Sequence, residues 1–107
     1  MAKARTDAPA RTARLAHLSA AERAALVAVG RRIMMLRTSG TSLTIAALAR
    51  QARVNSSFLG DVERGHANAS VAVLARLALA LDVPLHAFFV DAPTAPPTVA
   101  REAPSAE

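Results

Sequence analysis

The chain has 107 residues, 52% of them apolar, and 13 Lys/Arg against 8 Asp/Glu give it a net charge of +5. That length holds one small domain with tails and is short for a usual cofactor-binding enzyme fold, so no cofactor is expected. With no cysteine there are no disulfides or thiolate metal sites, and His17, His66 and His86 lack metal-ligand spacing.

No apolar run approaches the roughly 18 residues of a membrane span. The start, MAKARTDAPARTARLAHLS, is polar and basic without an apolar signal segment, so a cytoplasmic protein with no membrane contact is expected. Alanine, a strong helix former, inflates the apolar content, and only three phenylalanines represent the aromatic residues. An all-α fold follows.

Residues 1–18 form the first expected region, a flexible basic arm with little apolar periodicity. Ser19 and Glu22 make a capping box that opens a helix running to about Arg37, with Leu26, Val29, Ile33 and Leu36 along its apolar stripe. Thr38 to Ser42 breaks it. Thr44 caps a second helix that ends near Ala52, and Asn55 caps a third that begins at about Ser56. Ser70 caps a fourth helix, VAVLARLALAL, which Asp82-Val83-Pro84 ends. Pro84 then starts a short fifth helix, LHAFF, able to plug the core with Phe88 or Phe89. The folded unit is expected over residues 19–90, followed by a disordered Pro/Ala-rich tail over 91–107.

The centre of the chain, LTIAALARQARVNSSFLGDVERG over 43–65, carries most of the information. Leu48, Ala49, Ala52, Val54, Leu59 and Val62 fall where two steeply crossed helices bury side chains against each other, with small Ala49 at the point of contact. Ser56, Ser57, Gly60, Asp61 and Arg64 fall on the opposite face and are expected to point outward. Two short helices, a tight turn and an open polar face are the layout of a helix-turn-helix DNA reader. Charge agrees with it. Residues 1–18 sum to +3 and 19–53 to +5, whereas 54–90 sum to −1 and the tail to −2, so the positive field lies in the first half. Charge alone is weaker evidence, since an arginine- and alanine-rich composition also reflects a biased genome and a solvated surface.

From about Val29 to Phe89 the chain resembles the Cro/C1-type helix-turn-helix domain of the Xre family of bacterial and phage regulators, a five-helix lambda-repressor-like fold. The likeness rests on Gly30 with Ile33, Leu36 and Arg37; Leu48-Ala49; Val54; Ser57-Phe58-Leu59; Val62-Glu63-Arg64-Gly65; Asn68 with Ser70; and Leu74, Leu77-Ala78, Ala80-Leu81, Val83 and Phe89. It is particularly similar to the branch whose members attach a cupin sensor domain, where an aliphatic residue often stands at the position of Ile45. No sensor follows here, so no small-molecule ligand is expected.

The resemblance implies that Ser56, Ser57 and Asp61 face base edges in the major groove, and that Arg64, His66 and Asn68 reach phosphates. Thr44, Asn55 and the first turn of the second helix approach the backbone with free N–H groups and the positive end of the helix dipole. Asp61 only accepts hydrogen bonds, which suits a cytosine amine; alternatively it caps or pairs with Arg64. The resemblance also suggests an ion pair between Glu63 and Arg37 that ties the reading helix to the scaffold. No second carboxylate, Ser/His pair or phosphate-cradling glycine loop accompanies Glu63, so catalysis is not expected.

Two residues depart from the family pattern. Ile45 stands where many members have a glutamine that contacts phosphate and orients the reading helix. Arg53 stands where many have a turn glycine, so it either accepts positive-φ strain, with a phosphate contact in return, or remodels the turn. The expected partner is double-stranded DNA with a palindromic operator, bound by a homodimer through Leu85, Phe88 and Phe89 or through the first half of helix one. The other reading is a protein-interaction module, such as an antitoxin or adaptor, with a weakened DNA face.

Overall fold

The computed structural model describes residues 15–90; the expected tail and most of the expected arm lie outside them. Among the described residues four α-helices occur, α1 (Ala20–Met35), α2 (Ile45–Ala52), α3 (Ser56–Glu63) and α4 (Val71–Leu81), with a closing 3-10 turn at Leu85–Phe89. No strand is present among the described residues.

Each helix starts where a local side chain satisfies its exposed backbone donors. Glu22 N–H donates to Ser19 Oγ while Ser19 N–H donates to Glu22 Oε1, which completes the capping box of α1. Thr44, Asn55 and Ser70 accept in the same way from Ala47, Phe58 and Val73 N–H.

The ends of α2, α3 and α4 are all left-handed. Arg53 (φ 60°), Gly65 (φ 79°) and Asp82 (φ 59°) reverse the chain after these helices. In each case the next N–H returns to a carbonyl of the final turn: Val54 to Ala49, His66 to Asp61 and Val83 to Ala78. Gly65 has a second reason to lack a side chain, because a Cβ there would come 2.7 Å from Val27 Cγ2 and 2.8 Å from Val27 Cα.

Packing follows the capped helices. α1 lies along α3, α2 lies against α4 and crosses α3, and the closing turn leans on α1 and α4. Ile33, Leu48, Leu59, Leu77 and Phe88, one from every element, are fully buried at their junction. Two arginines bind the periphery through backbone carbonyls: Arg32 Nε donates to Ala87 O at 2.9 Å, and Arg76 Nε donates to Ala52 O at 2.9 Å.

Two boundaries differ from the sequence reading. The first helix is regular only to Met35 and continues as a wider π-turn over Leu36–Gly40, where the Thr38 hydroxyl donates to Met34 O. The fifth helix is a 3-10 turn of five residues, held by Ala87 N–H donating to Pro84 O, with Pro84 as its cap and not its first residue. So short a segment cannot complete the longer hydrogen-bond ladder of an α-helix. Phe88 is the core plug, and Phe89 points outward.

Candidate nucleic-acid interface

The turn between α2 and α3 has three residues, Arg53, Val54 and Asn55. Arg53 takes the left-handed conformation despite its Cβ, and its N–H donates to Ala49 O and Arg50 O. The helix-turn-helix geometry is therefore kept without glycine, at a strain of roughly 1 kcal/mol. Val54 is half-buried beneath the turn, while the Arg53 side chain is exposed.

Beyond the turn, Asn55, Ser56 and Ser57 are exposed at the start of α3, and Thr44 is exposed at the start of α2. Capping uses only acceptors of Thr44 and Asn55. The Thr44 hydroxyl proton and the Asn55 amide N–H groups stay available as donors. Two helix N-termini, with their positive dipole ends, thus open beside the two serines. His66 and Asn68 are exposed in the loop after α3.

Gly60 and Asp61 do not lie on the open face as the helical spacing indicates. Both are buried, Asp61 to 8% exposure. Arg64 is one neighbour, with a side chain that runs back along α3: its Nη2 donates to Asp61 Oδ1 at 2.8 Å, and both terminal nitrogens lie 3.5 Å from where a Gly60 Cβ would be. The sequence offered this pairing with Arg64 as the alternative to a cytosine contact, and Oδ1 of Asp61 engages Arg64 in that way.

Glu63 and Arg37 anchor α3 to the end of α1. Arg37 Nε donates to Glu63 Oε2 at 2.7 Å and Nη2 donates to Oε1 at 3.0 Å, while Nη1 donates to Leu43 O at 3.1 Å. The pair is nearly dry, with side-chain exposures of 12% and 3%. Bonding to Glu63 holds the guanidinium above its already high ordinary pKa. The π-turn supports this fork, because the Thr41 hydroxyl donates to Arg37 O and accepts from Leu43 N–H.

Ile45 is half-buried and joins Val27 and Met34 along an open apolar groove beside α3, rimmed by Arg31 and Arg64. No group of three His, Cys, Asp or Glu able to hold a metal occurs among the described residues. No helix among them is long and apolar enough to cross a membrane.

Comparison with known proteins places this arrangement. A helix-turn-helix family model matches residues 33–88, just over half the chain. Among solved structures, the restriction-modification controller protein C.AhdI from Aeromonas hydrophila is similar at 38% identity and a TM-score of 0.59, over 62% of this chain and 98% of that one. No curated protein matches. With the turn, the capped α3 and the Arg37–Glu63 anchor in place, the chain belongs to the helix-turn-helix family of Cro/C1-type DNA-binding transcriptional regulators.

Proposed function

We propose that this chain regulates transcription by binding duplex DNA with α3 in the major groove, where Ser56 and Ser57 read base edges. The observation that carries the reading is the exposed, polar start of α3 beside the open N-terminus of α2, both held on a rigid scaffold. Serine hydroxyls donate or accept, so they select bases modestly. Thr44, Arg53, Asn55, His66 and Asn68 supply the backbone contacts that fix register. A role as controller of a restriction-modification system, the description that C.AhdI carries, is the setting proposed for this chain.

A single copy offers a small reading surface, so the working unit is a homodimer on two half-sites about one helical turn apart. Its contacts come from Leu79, Phe89 and Val90, which are large apolar residues left exposed at the end of α4 and at and just after the closing turn. Phe88 is committed to the core. The first half of α1 exposes mainly alanines, which offer less apolar area to bury.

Selection of bound sequences from a random DNA pool tests the proposal. A palindromic motif, bound with an affinity that falls steeply as salt rises, is the expected result. Recovery of nothing above background refutes it. A protein-interaction module is the second reading, favoured by Ile45 in place of a phosphate-binding side chain and by the apolar groove that Ile45 lines. A protein held there would show little salt dependence.

A further inference from the structure

We infer that Arg64 is a base-reading residue of this surface, directed at guanine, and that Asp61 is the positioning residue that sets its guanidinium. The inference rests on α3 lying in the major groove. Family likeness assigns Arg64 to phosphate and Asp61 to a base; the geometry reverses the two.

Asp61 is buried, and its Oδ1 accepts from Arg64 Nη2 at 2.8 Å. A carboxylate so enclosed cannot extend to a base edge. Arg64 is the opposite case, with a side chain 59% exposed that lies along the helix it caps. Helical side chains tilt toward the N-terminus, and the guanidinium accordingly sits over Gly60, one turn closer to the serines than its own Cα. Ser57, Gly60 with Asp61, and Arg64 follow the i, i+3/i+4, i+7 spacing of one stripe.

Charge and geometry both favour a base over a phosphate. Pairing with Asp61 cancels much of the field Arg64 would present to a phosphate, so little is gained from counterion release. The fork of donors is not cancelled. Only one of five N–H groups is used by Asp61, and a guanidinium held in a fixed plane matches the O6 and N7 acceptors of guanine with little further loss of freedom. A lysine, with one rotating ammonium, cannot reproduce that match.

The test is random-pool selection and operator binding with the full chain and with R64K, R64A, D61N and the D61N/R64A double variant, each checked for folding by thermal melting. R64K and R64A should lose preference for one G·C pair by roughly 10- to 100-fold, with other positions kept and the salt slope nearly unchanged. D61N should relax the same position and add nothing in the R64A background. R64K alters only an exposed side chain, so it carries the test if D61N unfolds. An even loss across all sequences in R64A, with the salt slope reduced by about one, would make Arg64 a phosphate contact and overturn the inference while leaving the proposed function intact. A wild-type chain that selects no motif overturns both.

Discussion

Gly30 on α1 lies directly against the backbone of Val62 at the end of α3, so close that a Cβ would overlap the Val62 carbonyl oxygen and come 2.7 Å from that of Glu63. The relationship fixes how far α3 stands from α1. Gly30→Ala must push α1 and α3 apart, since backbone carbonyls cannot rotate away as a side chain would. A loss of about 1–3 kcal/mol is expected from urea unfolding. Gly40→Ala is the control, because a Cβ there meets nothing within 4 Å; equal losses in the two variants would refute the packing argument.

Breaking the Arg37–Glu63 fork should be more severe. Glu63→Ala leaves a nearly buried guanidinium without its partner, at a cost of about 3–5 kcal/mol. Small domains have only about 5–15 kcal/mol in total, so a large unfolded fraction on warming is expected by circular dichroism. The pH dependence has a definite sign. The folded-state pKa of Arg37 is raised, so its contribution is complete below the unfolded-state value and fades only as pH climbs through the folded one. Arg37 should therefore cause no loss of stability from neutral to mildly alkaline pH.

Arg53→Gly separates stability from binding. Glycine removes the left-handed strain, partly offset by its greater freedom when unfolded, so a gain of up to about 1 kcal/mol is expected. Operator affinity should fall at the same time, with a salt slope shallower by about one, if the exposed guanidinium meets a phosphate. A lowered melting temperature would contradict the strain, and an unchanged slope would remove Arg53 from the interface.

Leu79→Glu and Phe89→Glu address assembly. Both side chains are largely exposed, at 82% and 58%, so the monomer should melt almost as before. Sedimentation should show the dimer weakened or lost, together with tight operator binding. A dimer that survives both charges uses another surface.

Local chemistry made much of this fold legible. Ser19, Thr44, Asn55 and Ser70 were readable as caps because each acts within three residues of itself. The buried positions of α2 and α4 follow helical spacing, since each turns one apolar side toward the shared core. The open face of α3 was readable only at its start. Spacing put Asp61 outward; its i, i+3 relation to Arg64 made their pairing one of two readings, and helical periodicity does not choose between them. Arg32 and Arg76 were equally silent, because their carbonyl acceptors lie 55 and 24 residues away. Ser56 and Ser57 keep the exposure that the sequence indicated, whereas the choice of Phe88 over Phe89 depended on the closing turn.

The bond from Arg76 to the carbonyl of Ala52 has an electrical consequence at the far end of the same helix. A guanidinium seated on the last carbonyl of α2 offsets the negative pole there, while the positive pole at Thr44 has no acidic counterweight in its first turn. To an approaching polyanion, α2 then behaves as a one-ended magnet: attractive at its tip, muted at its tail, and polarised by a side chain on a different helix.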